Sequence, residues 1–179
     1  MQKINVENMS FEMFISNEQI NKRIGEIAMQ LNQQFDGLSP VFISILNGSF
    51  MFTADLLKQV SIPCQLSFVK LASYTGISSS GQVKELVGLA EDIRDRHIII
   101  LEDIVDTGLT IHSIIDQLAA RQPASIHVAT LLQKPDCLKV EVPVDFIGFS
   151  IPDKFVIGYG LDLNGYARNL PDIYQLSNE

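Results

Sequence analysis

Cysteine is scarce in this chain. Cys64 and Cys137 are the only two among 179 residues, they stand far apart, and neither belongs to a Cys-x-x-Cys pair or a Cys/His cluster. That argues against a disulfide scaffold or a zinc site and reads as two reduced, half-buried core residues. Basic residues are also few: 13 Lys and Arg against 21 Asp and Glu give a formal charge of −8 and a pI near 4.8. Such a balance disfavours a broad electrostatic grip on nucleic acid or an anionic membrane face. Small anionic substrates stay open, because local Lys, Arg and N–H groups decide their binding. No apolar run approaches the length of a bilayer span. The start, Met1 to Glu7, lacks the basic-then-apolar order of a signal peptide, so a cytoplasmic protein is expected. Neither G-x-x-x-x-G-K-[ST] nor G-x-G-x-x-G occurs, so P-loop hydrolysis and Rossmann dinucleotide binding lose support. His97, His112 and His127 show no ligand spacing and read as structural.

What is present suits one domain spanning residues 1–179. Hydrophobic residues make up 46% and charged residues 19%, enough to bury a substantial core at this length. Ile20, Ile24, Ile27, Ala28 and Leu31 recur at helical spacing between Asn17, a plausible cap, and the Asp36-Gly37 stop. Val41 to Leu46 reads as a buried strand stopped by Asn47-Gly48, with a helix from Ser49 to Gln59 after it. Ile62 to Ala72 and Val83 to Leu89 are strand-like. Between them lies the small, polar, Gly/Ser-rich run Ser73 to Gly81, expected to be mobile. Strand Ile98–Leu101, helix Ile111–Ala120 and strand Ser125–Leu132 alternate in the βαβ manner, which predicts an α/β fold with a mostly parallel sheet flanked by helices. Asp145–Phe149 is a last core strand. From Ile151 onward, Pro-Asp, Gly-Tyr-Gly and Asn-Gly turns break the periodicity and suggest a cap.

The segment Ile98 to Thr110 carries the chemistry. A buried-looking apolar run ends in Glu102 and Asp103, Asp106 follows, and Thr107-Gly108-Leu109-Thr110 opens a helix. Backbone N–H groups at a helix start attract phosphate, and carboxylates attract Mg²⁺ and sugar hydroxyls. A ligand satisfying both is a phosphorylated sugar carrying a metal. Ligands of open α/β sheets sit beyond the carboxyl ends of the strands, where Asn47-Gly48 and Lys134 also fall.

The run Leu101-Glu102-Asp103-Ile104-Val105-Asp106-Thr107-Gly108-Leu109-Thr110 resembles the phosphoribosyl pyrophosphate (PRPP) signature of type I phosphoribosyltransferases. Other segments narrow the resemblance to the hypoxanthine-guanine branch. Leu46-Asn47-Gly48-Ser49 resembles its pyrophosphate loop and Ser73-Tyr74 the start of its lid. Lys134, the segment Ile151 to Tyr159, and Leu161-Asp162 with Arg168 resemble its purine and pyrophosphate contacts. The motifs run in order from about Val41 to Leu170. One departure is Asn47, where the family often has Lys; the family's loop has a cis peptide and contacts pyrophosphate mainly through backbone.

The resemblance implies a core over about 16–150 with a small hood from 1–15 and 151–179. It implies hypoxanthine, and guanine with it, as acceptors of the phosphoribosyl group of PRPP, with Mg²⁺ as cofactor and a homodimer or homotetramer. Asp106 to Thr110, with the Thr107 and Thr110 hydroxyls and the Gly108 and Leu109 amides, would hold the 5′-phosphate at the positive end of the helix dipole. Glu102 and Asp103 would engage the ribose hydroxyls directly or through hydrated Mg²⁺, with Asp162 as a second-metal ligand. Asp106 is the candidate general base for the purine N7 proton, and an N-cap role is compatible with that. Asn47, Gly48 and Arg168 would contact pyrophosphate, and Lys134 would donate to the 6-oxo group. Phe155 would stack on the base, Val156 and Asp162 would meet its edge, Lys154 would brace the segment, and Ser73 and Tyr74 would close over the site. Two rivals remain: a sister transferase for xanthine or another base, and an RNA-binding regulator on the same fold, against which the acidic balance weighs.

Overall fold

The computed structural model describes residues 3–73 and 84–177. In chain order the elements are β1 (Lys3–Val6), β2 (Met9–Ile15), α1 (Asn17–Gln34), β3 (Val41–Ile45), α2 (Phe50–Leu57), β4 (Gln65–Ser73), β5 (Lys84–Val87), β6 (His97–Val105), α3 (Leu109–Ala119), β7 (Ser125–Gln133), β8 (Phe146–Ser150), β9 (Val156–Ile157) and β10 (Ile173–Leu176). A short 3₁₀ turn, Pro135–Cys137, follows β7.

The main sheet has the order β5-β4-β3-β6-β7-β8. Its strands pair in parallel except β5, which runs antiparallel to β4 at one edge. Side chains alternate between the two faces of a strand, and here both faces are covered. Phe42, Ile99, Leu101, Ala129 and Leu131 pack with Ile20, Ile24, Ile27 and Leu31 of α1 and Phe52 and Leu56 of α2. Val41, Ile43, Ile45, Ile98, Ile100 and Val128 pack on the other side with Ile111, Ile114 and Leu118 of α3. Double coverage is why β3 is buried at every position, Ser44 included, and why Ile98 to Leu101 of β6 are apolar without interruption.

Local chemistry sets the helix ends. The cap of α1 is Ser16 rather than Asn17: its hydroxyl accepts from the Gln19 N–H, and the Gln19 side chain accepts from the Ser16 N–H, forming a capping box. α2 begins one residue after Ser49, whose hydroxyl turns back to the Ile45 carbonyl and to Ser44. β6 runs on through both acids to Val105, because Glu102, Ile104 and Val105 keep pairing with Thr130, Leu132 and Gln133 of β7. Cys64 is exposed rather than half-buried and Cys137 is partly buried; both are free thiols.

A second, antiparallel sheet has the order β1-β2-β10-β9, joining the two ends of the chain. Phe11, Ile157 and Tyr174 form its small core. It stands over the carboxyl ends of β6 and β7 through the segment 151–161, where Ile151, Val156, Tyr159 and Leu161 enter the main core. No helix of the described residues is long and apolar enough to cross a membrane.

Candidate active site

The turn between β6 and α3 is built around Gly108, which caps α3 with φ +79°. A Cβ there would lie 2.9 Å from the Val140 carbonyl oxygen, so position 108 needs glycine for its dihedral and for space. This displaces the expected cap role of Asp106: the cap is Gly108, and the Asp106 carboxylate, 47% exposed, is left to face the site. The first four N–H groups of α3 have no intrahelical partner and carry the positive end of its dipole. A cavity of about 270 Å³ lies against them, lined by Glu102, Asp103, Asp106, Thr107, Gly108 and Thr110 among others. Leu109 is half exposed and does not line it.

Glu102 and Asp103 differ in setting. Glu102 is buried, and its Oε2 has no hydrogen-bond partner. Burial first, then the neighbouring Asp103 carboxylate, pushes its pKa well above the usual carboxylate range. Asp103 accepts from the Ile104 N–H and presses against Gly48, where an added Cβ would fall inside its carboxylate. The Leu46–Asn47 peptide is cis, Asn47 is exposed and Gly48 is buried. The expected pyrophosphate loop therefore sits directly on Asp103. Gly48→Ala is expected to push loop and carboxylate apart and lower kcat/KM about ten-fold, in line with overpacking by one methyl. Steady-state assays beside an unchanged circular-dichroism spectrum would check this.

Among the described residues, no three His, Cys, Asp or Glu side chains form a metal-holding group by themselves. Two adjacent carboxylates, one buried with an unpaired oxygen, do suit Mg²⁺, which takes one or two carboxylates together with substrate phosphates and water. Asp162 differs: its Oδ1 pairs with Arg168 Nη2 at 2.6 Å and its Oδ2 accepts from the Gly165 N–H at 2.7 Å, so a cation there would have to share both oxygens. Arg168 Nη1 also donates to the Gly160 carbonyl at 2.7 Å, and Arg168 lines neither cavity described here.

A second cavity, also about 270 Å³, is lined by Asp103, Ile104, Asp106, Lys134, Phe155, Val156, Leu161 and Asp162. It shares Asp103, Ile104 and Asp106 with the first. Lys134 follows β7 and its side chain is 9% exposed, with Nζ 3.5 Å from Asp106 Oδ2 and 3.1 Å from Asp153 Oδ1. Phe155 is 45% exposed, its ring 6.2 Å from that of Phe11. Val156 is buried in β9, and Lys154, in the preceding turn, lines neither cavity. Asp153 had no assigned role in the sequence. Its partner Lys134 lies 19 positions away, and only an acid next to the Lys154-Phe155 pair hinted at it. The Lys134 and Cys137 hydrogen bonds hold its carboxyl below the usual range. Ser73 is the last residue of β4; Tyr74 and the rest of the expected lid to Gly81 lie outside the described residues. The histidines are structural in their contacts, with His97 on Ser125, His127 on Asp145 and His112 on Asp116.

One cavity ending on a helix start and another carrying a buried lysine and an exposed aromatic meet at two carboxylates, Asp103 and Asp106. The class these define is an α/β protein that joins a phosphorylated sugar to a flat partner. A family model described as a phosphoribosyl transferase domain matches residues 11–164, and the chain belongs to that family. A hypoxanthine phosphoribosyltransferase of Salmonella typhimurium is 42% identical over 163 residues, covering 89% of this chain and 92% of that one. A hypoxanthine-guanine phosphoribosyltransferase of Dictyostelium discoideum is 40% identical over 176 residues, covering 96% and 98%. The crystal structure of a hypoxanthine phosphoribosyltransferase from Staphylococcus aureus superposes with a TM-score of 0.86 at 35% identity, covering 93% of this chain and 91% of that one.

Proposed function

We propose that the protein transfers the 5-phosphoribosyl group of PRPP to N9 of hypoxanthine, and of guanine, releasing pyrophosphate and forming the purine nucleotide. The observation that carries this reading is the pair of cavities meeting at Asp103 and Asp106. The one against the start of α3 suits a sugar phosphate; the one with Lys134 and Phe155 suits a flat base bearing an oxo group.

The 5′-phosphate binds the N–H groups of 106–110 and the Thr107 and Thr110 hydroxyls. Glu102 and Asp103 take the ribose hydroxyls, which supplies the polar partner that the buried Glu102 Oε2 lacks. Glu102 and Asp103 would hold Mg²⁺, which would supply charge neutralisation for the departing pyrophosphate. Asn47, Gly48 and Arg168 hold the pyrophosphate. In the second cavity Lys134 donates to the 6-oxo oxygen, Phe155 stacks on the ring, Val156 and Asp162 meet its far edge, and Lys154 braces the turn. N9 then attacks C1′ as the C1′–O bond to pyrophosphate breaks, and Asp106 removes the N7 proton. The acidic balance supports a cytoplasmic enzyme, and the resemblance to the hypoxanthine-guanine branch supports a homodimer or homotetramer.

The test is a panel of free bases with PRPP and Mg²⁺. Hypoxanthine and guanine are expected to be consumed with stoichiometric pyrophosphate, and adenine poorly. Preference for xanthine or orotate would move the reading to a sister transferase. No turnover of any base, with salt-dependent RNA binding, would end it.

A further inference from the structure

The hood meets the core at two points within one turn, and both lie beside the expected pyrophosphate contacts. Gly158, Tyr159 and Gly160 have φ of +94°, +49° and +98° in succession. Tyr159 is fully buried, and its hydroxyl donates to Asp55 Oδ2 at 2.6 Å. Asp55 lies on α2, the helix that issues from the Leu46–Ser49 turn, and its other oxygen accepts from Lys58 at 2.8 Å. One residue after Tyr159, Gly160 lies so close to the core that an added Cβ would overlap the Gly48 carbonyl oxygen. The carbonyl of Gly160 accepts from Arg168 Nη1, and its N–H donates to the Arg168 carbonyl at 2.9 Å. Gly48 in turn rests on Asp103.

We propose that Tyr159 and Asp55 are a positioning pair: their hydrogen bond seats the Gly158–Gly160 turn on α2 and thereby aligns Gly48 and Arg168 for one ligand. The two stand 120 positions apart in sequence (168 − 48) and meet at Gly160. Neither Tyr159 nor Asp55 lines the two cavities, so the pair acts through the turn and not on substrate. The hydroxyl stays protonated as donor, since burial and the Asp55 carboxylate both push its pKa up. The inference deepens the reading of Gly48 and Arg168 as pyrophosphate contacts and rests on it.

The distinguishing measurement is the split between the two substrates of the full-length protein. Tyr159→Phe keeps the ring and removes the donor. It is expected to raise KM for PRPP about ten- to hundred-fold, the loss of one hydrogen bond to a charged group, and to leave KM for hypoxanthine within two-fold. Asp55→Asn keeps an acceptor oxygen and is expected to stay near the wild type, while Asp55→Ala matches Tyr159→Phe and the double variant adds nothing further. A lowered melting temperature with both KM values unchanged overturns the proposal, because the bond then only stabilises the fold. Equal rises in both KM values overturn it as well. Wild-type protein that consumes PRPP while Tyr159→Phe matches it leaves the transferase reading standing without this pair. Wild-type protein that consumes no PRPP removes both.

Discussion

Asp106→Asn is expected to lower kcat for nucleotide formation by about 10²–10⁴-fold, the contribution typical of a positioned general base, while leaving the thermal melting curve in place. The geometry separates the two readouts. The Asp106 carboxylate is 47% exposed and touches Lys134 at 3.5 Å, a contact too long and too solvated to hold the fold. The helix it precedes is capped by Gly108, so no capping energy is lost with the carboxylate. Asparagine fills the same volume and keeps an oxygen acceptor, but it cannot take up a proton at neutral pH. If Asp106 receives the N7 proton, the deficit appears in the chemical step, and single-turnover experiments will show it in the rate of nucleotide formation rather than in product release. KM for PRPP is expected to change little, because phosphate is gripped by backbone N–H groups that the substitution leaves in place. A variant with wild-type kcat would remove Asp106 from proton transfer and leave it a wall between the two cavities.

The β6–α3 connection was legible because its chemistry is local. An apolar run, then acids, then Thr-Gly before an amphipathic stretch reports strand, site and helix start within 13 residues. α1 and α3 were legible for the same reason, their apolar residues falling on one 3.6-residue stripe. What local pattern missed was set by partners far along the chain. β6 continues through Glu102 and Asp103 because β7 continues beside it, which polar residues in a strand conceal. The hood sheet pairs Met9–Ile15 with Ile173–Leu176. Phe11 and Met13 alternate there with Ser10 and Glu12, a strand signal cut short at Phe14, and its partner lies at the far end of the chain. Val156–Ile157 is too short to read as a strand at all. The Lys134–Asp153 and Tyr159–Asp55 contacts likewise exist only once the hood is folded onto the core.

That hood contact governs the second large effect. Lys134→Met is expected to lower kcat/KM for hypoxanthine and guanine by about 10²–10³-fold and to narrow the gap to adenine, since a site built to hydrogen-bond one group rejects a base lacking it. Lys134 is buried to within 9% of its side chain, with Asp106 on one side and Asp153 on the other. An ammonium has three N–H donors and no acceptor. Two are directed at these carboxylates, leaving the third for an oxygen of the bound base, which a 6-oxopurine offers and a 6-amino group does not. Methionine keeps the length and apolar stem while removing every donor, so packing is preserved as the recognition is lost. Asp153 is 74% exposed and Asp106 47%, so neither carboxylate is stranded in a dry site by the change, and stability is expected to hold. Lys134→Arg is expected to rescue little, because a planar fork cannot point single donors in the three directions an ammonium reaches. Ratios of kcat/KM for hypoxanthine, guanine and adenine across the wild type, Met and Arg variants measure this directly. Unaltered ratios would mean that the oxo group is read elsewhere in the cavity, with Phe155 and Val156 the first groups to substitute next.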